Sequence, residues 1–309
     1  MTAPFARVVW ISLFLACVPA CSIKRMAVNK LGNALASGGS TYETDNDPQL
    51  VAEAVPFGLK LMESLLAESP KHTGLLEAAS GGFTEYAYAF VAQTGDEIRA
   101  TDLDRSNALQ DRARKLYLRA HAYGIRGLES RYPRFGSRLE ADAAAALART
   151  RKRDVPLLYW TAASLGLAIS GSQDKPEMIA RLPLVEALIG RAAELDESWN
   201  GGAIPEFLIS YESARSDVSR DAMQQAMRKH FDRALAISHG KRAGTYVSFA
   251  ENACIPAQNA AEFKSLLEKA LAVDTEATEE NRLANLVAQR RARWLLGRVE
   301  ELFLDTKGQ

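Results

Sequence analysis

Apolar residues recur at three- and four-residue intervals along most of the chain, the period of helices that bury one face. These runs predict helices near 24–37, 49–68, 74–93, 104–131, 135–149, 155–170, 183–195, 204–214, 219–237, 243–254, 259–273 and 277–304. Good helix formers fill them, and no stretch shows the two-residue alternation of a half-buried strand. The prolines at 48, 56, 70, 133, 156, 176, 183, 205 and 256 fall mostly between the runs, where proline starts or stops a helix. Gly38, Gly39 and Ser40, followed by Thr44 to Pro48, read as a polar hinge between the first helix and the body. The predicted class is all-α.

A second, longer period lies over the first. In the second helix of a tetratricopeptide unit, a small residue lies about seven positions before a close-packing alanine. A bulky residue lies three before that alanine, and a polar residue or glycine four after it. Ala113, Tyr117, Ala120 and Gly124 fit this pattern, as do Val185, Ile189, Ala192 and Asp196. Met227, Phe231, Ala234 and Ser238 fit it again, and then Phe263, Leu267, Ala270 and Asp274. Ala234 and Ala270 are 36 residues apart, near the repeat length of 34. Ala120 and Ala192 are 72 apart, room for one degenerate unit whose first helix holds Trp160 and Ala163. Alanine lets two helices approach while the bulky neighbour fills the groove between them. The pattern predicts tetratricopeptide-like hairpins in a single superhelical domain; an irregular helical bundle obeys the same packing rules and is the plainer alternative.

The start of the chain reads differently. Arg7 precedes an apolar run from Val8 to Val18, too short to span a bilayer and typical of a secretory signal. Val18, Pro19 and Ala20 then lead into Cys21, the arrangement of a lipoprotein signal in which the cysteine is acylated, with palmitate as the expected kind of chain. An ordinary signal beside an incidental cysteine is the competing reading. The expected organisation is a signal peptide over 1–20, a lipidated N-terminus with first helix and hinge over 21–48, and a helical domain over 49–309. Ser22, rather than an aspartate, favours the periplasmic face of the outer membrane. Cys17 is a rival modification site; with Cys21 acylated, Cys17 leaves with the signal and Cys254 is the one thiol left over, so no internal disulfide forms.

Composition narrows the functions. The 38 basic and 38 acidic residues cancel, which gives no electrostatic case for nucleic acid. His72, His121, His230 and His239 form no close helical pair to hold a metal, and no phosphate loop, CxxC or nucleophile elbow occurs. No catalytic residue, metal or cofactor is expected. The basic group Arg149, Arg151, Lys152 and Arg153 suits the negative end of a helix, or alternatively an acidic partner. Arg290, Arg291 and Arg293 read as surface or inter-helix pairs. Tyr86 and Tyr88 follow the small run from Ala78 to Gly82, and Tyr159 and Trp160 precede the small run from Thr161 to Gly166. Such aromatics either pack the core or, with small neighbours leaving space, line a ligand cavity.

Several stretches together resemble one family. They are CSIKRMAVNKLGNALASGGS at 21–40, PFGLKLMESLLAESP at 56–70, GFTEYAYAFV at 82–91, DVPLLYW at 154–160 and LANLVAQRRARWLL at 283–296. In number and order they resemble the T-component family of tripartite ATP-independent periplasmic (TRAP) transporters. The resemblance implies a periplasmic lipoprotein, not an enzyme, that associates with the transporter's solute-binding subunit. Only the lipid cysteine, Cys21 here, maps from the family. The expectation is a binding module for that subunit, handling a small apolar or amphipathic solute at Tyr86, Tyr88, Tyr159 and Trp160. The alternative is a ligand-free envelope scaffold, and either leaves room for a homo-oligomer.

Overall fold

The computed structural model describes residues 28–36, 39–172 and 174–304. It is 81% helical, with no strand among the described residues. Cys21 and the signal region lie outside them. The long elements are α1 (28–36), α2 (Gly39–Glu43), α3 (Pro48–Glu68) and α4 (Thr73–Tyr86). A π-helical segment, Ala87–Ala92, carries α4 into α5 (Gln93–Ile98). Then come α6 (Leu103–Arg131), α7 (Phe135–Ala141), α8 (Ala143–Leu147), α9 (Val155–Ser170), α10 (Pro176–Ile179), α11 (Leu182–Asp196) and α12 (Trp199–Ser213). The chain ends with α13 (Arg220–Ser238), α14 (Ala243–Phe249), a second π-helical segment Ala250–Cys254, α15 (Ala260–Ala272), α16 (Arg282–Leu296) and α17 (Val299–Leu302).

The boundaries follow local chemistry. Asp47 accepts hydrogen bonds from the Gln49 and Leu50 amides ahead of α3, and Asp102, Ser219 and Asn259 cap α6, α13 and α15 in the same way. Pro156, Pro176 and Pro183 stand in first turns, while Pro56 lies inside α3. Asn200, Gly201 and Gly202 all have positive φ and form the turn into α12, so its helical part begins after them. Three expectations fail locally. The polar hinge contains a helix, α2. The helix expected over 135–149 is interrupted at Asp142, which caps α8, and that over 277–304 breaks at Gly297.

The helices form two layers. α4, α9, α12, α14 and α16 pack side by side as one layer, each against the next. α6, α11, α13 and α15 pack on the first four of these from the other side. The alanines of the sequence pattern lie on this second layer, and Ala113, Ala120, Ala192, Ala234 and Ala270 are all at most 1% exposed. Their bulky partners Tyr117, Ile189, Phe231 and Leu267 are buried with them.

The first layer also meets the start of the chain. α16 packs on α2 and α3, and Arg282 donates to the Thr44 carbonyl at 2.7 Å. Arg290 pairs with Glu97. Arg291 bonds Asp96 at 2.8 Å and Glu251 at 2.6 and 3.0 Å. The array therefore closes on itself through ion pairs that join residues almost two hundred positions apart.

Replacing Ala234 or Ala270 by leucine should cost about 1–3 kcal/mol, because neither site has room for the added carbons. Unchanged melting in both variants would remove the close-contact role. Arg291→Ala leaves two partly buried carboxylates facing each other and should cost about 1–3 kcal/mol in denaturant unfolding. A neutral result would show that closure does not depend on this guanidinium.

Candidate functional site

The inner layer carries a set of polar side chains that are open and desolvated at once. Tyr88, in the first π segment, keeps 42% of its surface exposed. Yet burial of its hydroxyl among protein atoms, with Glu251 adding to it, pushes its pKa up to about 12; Arg291 opposes this. Glu85 on α4 is also exposed, and burial plus the Glu43 carboxylate raise its pKa to about 7, with Arg242 opposing. Tyr159 on α9 is half-buried, and desolvation followed by Glu206 raises its phenol well above the usual range. A side chain on the outer surface would keep its hydration. These groups stand on α4, the first π segment and α9, in the layer that the Arg290 and Arg291 pairs join end to end, and the space which that layer faces is the lumen.

The wall of the lumen is held by hydrogen bonds between neighbouring inner helices. Glu206 on α12 accepts from Arg242 Nε at 3.0 Å and Thr245 Oγ1 at 2.8 Å, both at the start of α14. Burial works against the Arg242 charge, and the Glu206 carboxylate more than offsets it. Arg242 Nη1 also donates to the Asn200 carbonyl and to Asn281 Oδ1. A Cβ at Gly244 would lie 2.6 Å from Glu206 Oε1, so a larger residue there would push this carboxylate aside. On the opposite side Arg291 joins Glu251, in the second π segment, to Asp96, just beyond the first. π-Helical insertions often mark functional positions because they re-aim side chains along a helix. The buried Tyr117 hydroxyl completes no hydrogen bond among the described residues.

The four aromatics named from sequence divide. Tyr88 and Tyr159 face the lumen and reach each other electrostatically. Trp160 is half-buried and meets Tyr159 edge-on with centroids 4.9 Å apart; Trp199, which the sequence reading missed, lies 4.7 Å from Tyr159. Tyr86 is not brought to this group. It is half-buried between α4 and α6, where Arg112 stands 5.9 Å from its ring centroid. The small runs do not leave space either. A Cβ at Gly81 would come within 2.9 Å of the Trp160 ring, and one at Gly124 within 2.2 Å of Thr161. The charged lumen residues Glu85, Glu206, Arg242 and Glu251 carried no sequence signal, since each looks like an ordinary surface residue of an amphipathic helix.

Other candidates fall outside this lumen. Arg149, Arg151 and Arg153 line a surface depression of about 420 Å³ with Tyr132, Ala148 and Thr150, sharing no residue with the inner group. Cys254 is buried, and desolvation pushes its thiol pKa up to about 12, so it is not a reactive thiolate. No group of His, Cys, Asp or Glu side chains among the described residues is placed to hold a metal. No helix among them is long and apolar enough to cross a membrane.

His121 has a structural role on α6. Its Nδ1–H donates to the Thr161 carbonyl at 3.0 Å, and Nε2 then accepts from Arg181 at 3.3 Å. Burial lowers its pKa to about 4, and protonation would also set the ring against Arg181. The unfolded chain takes up this proton near pH 6.5 and the folded chain only near 4, so the stability is present above 6.5 and lost as pH falls through that window. The loss should be about 2 kcal/mol between pH 6.5 and 4, and absent in His121→Gln. Parallel pH profiles for the two proteins would contradict it.

A family model described as TRAP transporter T-component matches residues 44–303. An uncharacterized protein of Treponema pallidum (strain Nichols) is 30% identical over 307 residues, covering 92% of this chain and 94% of that protein. The chain belongs to the TRAP transporter T-component family.

Proposed function

We propose that this T-component is a lipid-anchored periplasmic protein that docks on the solute-binding subunit of its transporter and passes a small solute through the lumen. Family membership supports an accessory role in TRAP transport. The single observation carrying the solute reading is the lumen wall, where Tyr88, Glu85 and Tyr159 are accessible and desolvated together. A ligand-free scaffold gains nothing from such groups, because each is costly to keep away from bulk water. The acidic and aromatic lining favours an amphipathic solute over a wholly apolar one. The two layers, with the patterned alanines buried on the second, support a tetratricopeptide-like superhelix. The fold supplies a binding module, and the chain is not an enzyme in this reading.

Anchoring rests on Cys21 and docking on the family. Full-length protein purified from native membranes should bring down a periplasmic solute receptor, and mass spectrometry should find acyl chains on an N-terminal Cys21. Cys21→Ala should leave the protein soluble or unprocessed while retaining receptor capture. Purification without any receptor, from cells that express one, would favour the scaffold.

A further inference from the structure

The segment between α8 and α9 carries Arg149, Arg151, Lys152 and Arg153 in close succession. Lys152 meets a carboxylate, reaching Asp196 on α11 at 3.0 Å. The three arginines instead line the depression of about 420 Å³, together with Tyr132, Ala148 and Thr150, and no aspartate or glutamate lines it. All three are exposed, and none makes an ion pair among the described residues. The dipole of α8 does not cancel them. That helix has 5 residues, and even a long helix presents only roughly half an elementary charge at its C-terminus.

The backbone under these arginines is braced from both sides. Asp154, fully buried, accepts from Arg131, from the Tyr132 hydroxyl at 2.6 Å and from the Arg151 amide at 2.8 Å. Its charge is thereby committed to the fold, and the turn that presents Arg151 and Arg153 is held. The Arg153 guanidinium also reaches the Tyr132 hydroxyl. From α11, Arg191 donates to the Thr150 carbonyl at 2.9 Å and to Thr150 Oγ1 at 3.1 Å. Three forked donors thus surround one depression on a fixed frame. A carboxylate, with two oxygens and one charge, is satisfied by a single arginine fork. A phosphate monoester presents three acceptor oxygens and about −1.5 to −2 charges at neutral pH, which suits several forks at once. The volume falls among those of small-molecule sites and exceeds a bare phosphate, so the phosphate can carry an organic group.

We propose that this depression is a phosphate site, in which Arg149, Arg151 and Arg153 hold the phosphate monoester of a soluble molecule or of a lipid headgroup. It is separate from the lumen and does not depend on a solute passing there. The test is isothermal titration calorimetry of the full-length protein in nonionic detergent near neutral pH. The probes are inorganic phosphate, glycerol phosphate, succinate, and short-chain phosphatidate and phosphatidylcholine. Inorganic phosphate and glycerol phosphate should bind with dissociation constants of about a millimolar or below, and added salt should weaken both. Arg149→Gln and Arg151→Gln should each lose about tenfold or more, the scale of one charge-assisted hydrogen bond. Neither should melt lower, because both side chains are exposed, and this separates loss of ligand from loss of fold. Arg151→Lys keeps the charge without the fork and should recover only part of the affinity.

Phosphatidate binding more than about tenfold tighter than glycerol phosphate, with phosphatidylcholine silent, would assign the phosphate to a lipid. Equal affinities would assign it to a soluble molecule. Succinate binding as tightly as glycerol phosphate would overturn the phosphate class. Absence of binding by every phosphate, or affinities unchanged in both glutamine variants, would overturn the site. Should the phosphates fail to bind while the paired Arg149→Gln, Arg151→Gln protein loses its solute receptor, the surface docks an acidic protein and the proposal falls.

Discussion

The contact on which the rest depends is the junction of α16 with the start of the array. A row of packed helices has two open ends, and its inner face is then simply one side of a curved sheet of helices. Here Arg291 ties α16 to both Asp96 and Glu251, Arg290 reaches Glu97, and Arg282 reaches the Thr44 carbonyl. These bonds turn the inner face into an enclosed one. Without them Tyr88 and Glu85 would lie in an open groove, hydrated as any surface residue is. Burial raises the pKa of both groups first, and Glu43 and Glu251, carried by other elements, add to it.

The choice of arginine at position 291 has a physical reason. Its fork reaches two carboxylates on different elements at once, which the single ammonium of a lysine does less well. The Trp294 ring, whose centroid is 4.3 Å from the guanidinium carbon, covers one face of the group. With 12% of the side chain exposed, the pair is screened less by salt than a surface pair. Glu251 lies in one π-helical segment and Asp96 follows the other, so the seam joins the two places where regular helical register is broken.

Most of the helices were legible because their period is written locally. α3, α6, α9, α11 and α13 lie within a residue or two of the runs that announce them, with Asp102 and Ser219 capping α6 and α13 in the structure. The alanine pattern was legible for the same reason, as close helix contact demands a small side chain at fixed spacing. The lumen was not. It is assembled from residues on five helices whose meeting depends on the closure of the whole array, and no local period encodes that. Tyr86 and Tyr88 show the limit well. They are two residues apart on one helical stretch, yet one lies against Arg112 and the other opens inward, and the π segment that begins between them is invisible in an alanine-rich sequence. The small run before Tyr86 was ambiguous for a related reason: Gly81 could mean space or contact, and the fold sets it against the Trp160 ring.

The treatment of carboxylates across the molecule bears on what the lumen is for. Asp154 is fully buried and fully satisfied, accepting from Tyr132 at 2.6 Å, from the Arg151 amide at 2.8 Å and from Arg131. Those bonds hold its pKa below the usual carboxylate range in spite of burial. Glu206 is likewise bonded by Arg242 and Thr245 within the lumen wall itself. The chain therefore does pair desolvated carboxylates where structure is the only requirement. Glu85 stands beside the same Arg242 without bonding it.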